Sequence, residues 1–169
     1  MPRVDFDHLP DASRVWVFGV SDPLSEIEEL TFLAVVDGFL DGWAAHGTVL
    51  TCGRDWRHGR FLLVAVDEAS EPPSGCSIDA MVNVLKAEQE RLQVTIVDHT
   101  AVWYLKGNQV QRASRTEFKT QVDVGQVDAD TVVFDNTVTR LDQVREGAWE
   151  RPARDSWHNR AFLKQPAGA

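Results

Sequence analysis

A change of hydrophobic period on either side of Ser21-Asp22-Pro23 governs what this chain can fold into. Residues 14–20 (Arg-Val-Trp-Val-Phe-Gly-Val) form a β-branched and aromatic run, the composition of a strand. Residues 24–46 contain neither proline nor a two-residue alternation, and Phe32, Val35, Val36, Phe39, Leu40 and Trp43 recur at helical spacing. Pro23 suits a first helical turn, and Glu26, Glu28 and Glu29 sit where the positive end of the helix dipole favours carboxylates. Gly47 supplies a stop. The pattern predicts a strand followed by a helix over 24–46 with a wide buried face.

Two further β-type runs, 48–52 and 61–66, flank the polar stretch from Arg54 to Arg60 and predict a hairpin. A loop rich in Pro, Ser and Gly over 67–75 then leads into a second helix. There Ile78, Met81, Val82, Leu85 and Leu92 keep helical spacing to about Gln93. Residues 94–97 read as a short strand or a buried turn, and 101–110, broken at Lys106-Gly107-Asn108, as a second hairpin. The resulting βαββαβ order is that of the ferredoxin-like split βαβ sandwich. Beyond it, 115–122 suggests a short helix, 131–134 a strand, 141–146 a helical turn and 147–169 an irregular tail. The expected architecture is one α+β domain, with a ferredoxin-like core over about 12–113 and an irregular C-terminal extension over about 114–169. In that topology Trp43, His46 and Gly47 face Asp67, Glu68 and 74–79, while the hairpin tip at 55–60 lies at the other end of the sheet, near Ser21 and Asp22.

Charge and composition exclude several classes of function. Across 169 residues, 17 Lys and Arg face 26 Asp and Glu, a formal charge of -9. Affinity for a phosphate backbone requires clustered cations, so nucleic acid is not an expected partner. Cys52 and Cys76 alone make no disulfide framework, which fits a reducing, cytoplasmic compartment. No run approaches the roughly 18 apolar residues of a membrane span, and the first residues lack the basic and apolar regions of a leader.

Leu9-Pro10, Ser13-Arg14-Val15-Trp16, Trp43 with His46-Gly47, Val66-Asp67-Glu68, Ser74-Gly75-Cys76-Ser77-Ile78-Asp79, Val133-Phe134-Asp135-Asn136 and Asp155-Ser156-Trp157-His158 stand out as a set. Together they make the chain similar to an uncharacterised family of small bacterial proteins. The resemblance spans most of the chain and implies no assigned activity, catalytic residue or cofactor. Some members bear the label "ABC transporter ATPase", which this chain does not support. Such an enzyme needs a Gly-rich loop ending in Lys and Ser or Thr to cradle phosphates, whereas Lys occurs here only at 86, 106, 119 and 164, none in that setting.

Among candidate sites, Cys76 follows Gly75 at the predicted start of the second helix, where free N–H groups and the helix dipole favour a thiolate. His46 is its candidate base, and Asp67, Glu68 or Asp79 the orienting group, the general arrangement of an activated nucleophile. The structural alternative makes Ser74 or Ser77 a helix cap and Cys76 a small filler. Asp67, Glu68 and Asp79 also suggest a Mg²⁺-type carboxylate site, although the spacing is not diagnostic and Asp79 beside Ser77 is a helix-capping arrangement before it is a ligand set. Arg54, Arg57 and Arg60, interleaved with Trp56, form a basic cluster suited to an anionic ligand or an acidic partner. Asp155, Ser156 and His158 are too close in the chain to converge as a catalytic triad, so the expected role of that stretch is to anchor the tail through Trp157.

Of the six Trp, Trp16, Trp43 and Trp103 are expected in the core. Trp56, Trp149 and Trp157 are expected on the hairpin and tail, where they imply either a tail folded back on the domain or an interface. Two functional classes follow. The first is a noncatalytic binding or regulatory module using the Trp-bearing hairpin and tail, with a second copy of the chain or another protein as partner. The other is a thiol-dependent or carboxylate-metal enzyme centred on Cys76, His46, Asp67 and Asp79. The first is favoured because no catalytic constellation is complete.

Overall fold

A computed structural model describes residues 3–163. The chain is mixed α+β with antiparallel sheets, and it divides into two compact units rather than a core with an appendage. The first unit runs to Asp98 and includes Thr139–Asp142; the second takes His99–Val138 and the chain from Gln143 onward. The division therefore falls at 98–99, ahead of the second predicted hairpin, not near 113.

The first unit contains β1 (Arg14–Gly19), α1 (Glu26–Asp41), β2 (Ala44–Ala45), β3 (Thr48–Val49), β4 (Cys52–Arg57), β5 (Phe61–Val66) and α2 (Gly75–Leu92). Its main sheet has the order β1-β5-β4, with Trp16 opposite Val64 on one side of β5 and Arg54 opposite the same Val64 on the other. One face of the sheet, through Phe18, Leu62, Val64 and Val66, packs with Phe32, Val36 and Leu40 of α1 and Met81 and Leu85 of α2. The helices start where the chain supplies caps. Ser25 with Glu28 opens α1, and Ser74 with Ser77 opens α2, each a reciprocal capping box that satisfies the free N–H groups of the first turn.

This sheet reproduces the first four elements of the ferredoxin-like order but not the whole. A ferredoxin-like sandwich would add a fourth strand beside β1. Residues 94–97 instead form a buried turn, in which the Gln89 side-chain oxygen accepts from the backbone N–H groups of Ile96 and Val97 (2.9 and 3.0 Å). The next strand belongs to the second unit. On its outer edge β1 meets an isolated antiparallel bridge, Arg14 opposite Arg140.

Two boundaries also differ from the pattern. Helix α1 stops at Asp41, because the apolar periodicity that continues through Trp43 belongs partly to a tight hairpin, β2–β3. The turn of that hairpin is His46-Gly47, both with positive φ (52° and 80°), a backbone that Gly adopts freely and that matches a two-residue reversal. His46 is thus not in the last turn of the helix. Likewise, Arg54 to Arg57 lie within strand β4, not in a loop. The reversal is confined to His58-Gly59-Arg60, with positive φ at His58 and Gly59 (57° and 61°).

The second unit contains β6 (Val102–Lys106), β7 (Gln109–Ala113), α3 (Arg115–Asp123), β8 (Val132–Phe134), most of the short helix α4 (Leu141–Arg145) and β9 (Glu150–Pro152). Its sheet order is β7-β6-β8-β9. Val102, Tyr104, Phe118, Val133 and Phe162 form its core. The tail, expected to be irregular, contributes the edge strand β9, a 3₁₀ turn (Ala153–Asp155) and a π-helical turn (Asn159–Leu163). The end of the predicted extension, 164–169, lies outside the described residues. Among the described residues no helix is long and apolar enough to cross a membrane.

A pair of glycine substitutions tests the packing of the first unit. A Cβ at Gly53 would sit 2.7 Å from the Val4 carbonyl oxygen, whereas one at Gly38 in α1 meets nothing within 4 Å. Gly53→Ala is expected to destabilise the unit by about 1–3 kcal/mol, because backbone must move. Gly38→Ala is expected to stabilise it by about 0.5–1 kcal/mol. Urea unfolding of the two variants is the measurement; equal effects would contradict the packing described.

Candidate functional site

The corner expected to hold a thiol site is assembled only in part. The Trp43 indole N–H donates to the Ser77 carbonyl oxygen at 2.7 Å, which joins the end of the α1 segment to the start of α2 as the topology predicted. Cys76 is exposed at the second position of α2, and Asp79 is exposed one turn further along. His46 is exposed in its hairpin turn, and among the described residues no hydrogen bond joins it to Cys76. Asp67 is half-buried at the end of β5, and its carboxylate accepts from the Ala69 N–H at 3.0 Å, shaping the turn that follows. Among the described residues no three His, Cys, Asp or Glu groups are arranged to hold a metal ion.

The hairpin cations are all engaged within the first unit. Arg54 makes a two-pronged ion pair with Asp37 of α1 (2.7 and 2.8 Å), and its hydrogen bonds hold the Asp37 carboxyl below the usual range. Arg57 donates to Asp55 at 2.7 Å and lies over the Phe6 ring. Arg60 is only 8% exposed and donates to the carbonyls of Val20 (2.9 Å) and Ser21 (2.7 Å), so this end of the hairpin does meet Ser21 as expected. Trp56 is half-buried, edge-on to Phe32. These side chains staple strand to helix and leave few donors for a ligand.

A different set of arginines lines a cavity in the second unit. Asp135, Arg151, Arg154, Asp155, Ser156, Trp157, Asn159 and Arg160 surround a space of about 510 Å³. Local geometry explains how they converge. Strand β9 pairs with β8 through Val133 opposite Arg151, which brings Arg151 beside the chain that leads to Asp135. The 3₁₀ turn then reverses the chain, and Asn159 N–H donates to the Ser156 carbonyl at 3.1 Å as the π-helical turn begins. Arg154 is paired with Asp130, and its Nε lies 4.0 Å from Asp155. Trp157 is 36% exposed, whereas Trp149 is 1% exposed and donates to the Asn136 side-chain oxygen at 2.8 Å. Of the three Trp expected on the hairpin and tail, Trp149 is buried, Trp56 half-buried and Trp157 exposed.

Beneath Trp157 the tail is locked. Trp157 stacks on His158 (centroids 3.9 Å, 25° between planes), and the Arg115 guanidinium lies 5.4 Å from the Trp157 centroid. Lys119 of α3 donates to the Phe162 carbonyl at 3.0 Å. Ser156 and His158, two residues apart in the chain, do hydrogen-bond to each other (Oγ to Nδ1, 2.8 Å). The pair is buried and His158 Nε2 has no partner, so it is a packing element and not an exposed nucleophile with its base. Burial pushes the His158 imidazole down to about 4, with Arg115 adding to the effect and Asp135 opposing it.

A second cavity, of about 620 Å³, lies in the first unit between Arg14, Glu68 and Arg140, where Arg140 is paired with Asp142 at 2.8 Å. The tail cavity was missed in the sequence although Arg151, Arg154 and Arg160 fall within ten residues, as dense in arginine as much of the hairpin. A comparison of net local charge would have marked it. Comparison of the chain with protein-family models, curated proteins and solved structures finds no match.

Two measurements check this description. Cys52 is buried, and burial pushes its thiol up to about 12, while Cys76 is exposed. Alkylation of the native protein at pH 8 is expected to add a single label, on Cys76, with Cys52 reacting only after unfolding; mass spectrometry of the peptides decides. His158 gives a pH dependence with a definite sign. An unfolded histidine binds a proton near pH 6.5 and the buried one only near 4. Its contribution is intact above about pH 6.5 and is lost as the pH falls toward about 4, because the unfolded chain takes up the proton first. Stability is expected to drop by about 2 kcal/mol between pH 7 and 5 in urea unfolding. That slope should flatten in His158→Phe whatever the variant's stability at neutral pH.

Proposed function

We propose that the chain is a noncatalytic binding module whose ligand occupies the Trp157 cavity of the second unit. The observation that carries this reading is the contrast between the two arginine clusters. Arg54, Arg57 and Arg60 are consumed by internal partners, whereas Arg151 and Arg160 border an open cavity beside an exposed Trp. A cavity of this size suits a small molecule, and an exposed Trp that is held rigidly offers contact area at small entropic cost. Two separate stretches of the family resemblance, at Asp135 and at Asp155 to Trp157, line the same space, which supports reading that space as the functional part. The hairpin drops out of the recognition surface in this proposal. Two unpaired cysteines favour a cytoplasmic setting, and the charge of -9 disfavours nucleic acid as the occupant.

The thiol or carboxylate-metal alternative is weaker, since Cys76, His46, Asp67 and Asp79 share a region of the unit but no bonding geometry. Thermal melting separates the two. The test panel is a set of sugars, amino acids, nucleosides, phosphate esters and di- and tricarboxylates. At least one class is expected to raise the Tm of the wild-type protein while leaving that of Trp157→Ala unchanged. A panel in which no class does so overturns the module reading.

A further inference from the structure

We infer that the occupant of the tail cavity is a small oxyanion, a molecule bearing a phosphoryl or carboxylate group, gripped by Arg151 and Arg160; this rests on the binding reading above. The argument is an accounting of donors and acceptors around the cavity. Arg151 lines the cavity and makes no ion pair among the described residues; its Nε is buried without an acceptor, so only its terminal N–H groups can meet an occupant. Arg160 also has no polar partner among the described residues. The acidic groups of the same wall are in the opposite condition. Asp135 accepts from the Thr137 N–H at 3.0 Å and from the Thr137 hydroxyl, and Asp155 lies beside Arg154, whose guanidinium is also paired with Asp130. The cavity wall therefore has one carboxylate, Asp135, already supplied with donors, a second, Asp155, 4.0 Å from the Arg154 Nε, and two guanidiniums, Arg151 and Arg160, without acceptors among the described residues.

A guanidinium has five N–H donors, no acceptor, and keeps its charge at any physiological pH. A group that accepts hydrogen bonds and carries negative charge is the complementary occupant. Carboxylate and phosphoryl oxygens meet the planar fork of arginine in pairs, which makes them the matching chemistry. An aromatic ligand is a poorer match, because Trp157 already has His158 stacked on it and Arg115 against its ring. A polyanion such as RNA would meet the field of a chain with net charge -9, whereas a small anion fits within about 510 Å³ and touches only the local cations.

Isothermal titration of the full chain with sodium pyrophosphate and, separately, with citrate tests this at constant ionic strength in chloride. One-to-one binding of at least one anion is expected; pyrophosphate alone identifies a phosphoryl ligand, and citrate alone a carboxylate. Arg151→Ala and Arg160→Ala are each expected to weaken it at least about tenfold. Arg151→Lys should recover only part of the loss, since an ammonium lacks the fork. Arg112→Ala, which removes an exposed cation that does not line the cavity, should leave it unchanged. If Arg151→Ala fails to fold, exposed Arg160 carries the test. Binding that ignores both arginines, or that falls equally in Arg112→Ala, overturns the inference. If an uncharged class from the melting panel binds in a Trp157-dependent way and neither anion does, the oxyanion falls and the module stands; if nothing binds, both fall.

Discussion

Strand β5 is buried at every one of its six residues, and the first unit is organised by that requirement. A strand with both faces apolar cannot lie at an edge or turn one side to water. It is therefore central, with β1 and β4 supplying its hydrogen-bond partners, and each face needs a cover. Helices α1 and α2 cover one face. On the other, Phe6 and Leu9 approach β4 at Gly53, where Val4 N–H also donates to the Cys52 carbonyl at 2.8 Å. The absence of a side chain at Gly53 is what lets that segment come so close. The polar strand β4 can pair with β5 only because its charges are answered locally, Arg54 by Asp37 and Arg57 by Asp55.

That dependence explains which parts of the fold were legible. The switch from a two-residue to a helical period at Ser21-Asp22-Pro23, the caps at Ser74 and Ser77, and the turn at Gly107 are local signals, and the structure follows each of them. The end of α1 was not legible, because Trp43 continues the apolar spacing into a hairpin whose turn depends on two positive φ values at His46-Gly47. The strand character of Arg54 to Arg57 was hidden for a different reason. Polar residues in a strand read as loop unless their partners are known, and Asp37 lies on another element. The fourth ferredoxin-like strand failed because local pattern does not say which sheet a strand joins: the run at 102–106 is a strand, but it pairs with β7 and β8.

The same limit applied to the site. A count of cations singles out the hairpin, yet the capacity of an arginine to bind a ligand is set by what its donors already hold. Arg60 satisfies two carbonyls and is buried, while Arg160, similar in sequence context, satisfies none. Trp residues divide in the same way. Trp149 spends its N–H on Asn136 and its ring on Phe134, whereas Trp157 keeps part of its surface in water. Partnering is a three-dimensional property, so Arg151, Arg160 and Trp157 stand out only once the internally engaged residues have been subtracted.

The protonation state of His158 connects the packing of the tail to the cavity above it. Its imidazole lies stacked under Trp157, edge-on to Phe118 and near Arg115, with no acceptor at Nε2. A second positive charge there would be desolvated and would face Arg115, and only the Asp135 carboxylate would offset it. Asp135, however, lines the cavity and is held by Thr137, so drawing it toward His158 would remove it from the wall it shapes. Neutral His158 thus keeps a desolvated charge away from Arg115 and makes no demand on the Asp135 carboxylate. The wall around Trp157 rests on an uncharged histidine, and a proton on that ring would act on the packing of the tail before anything else.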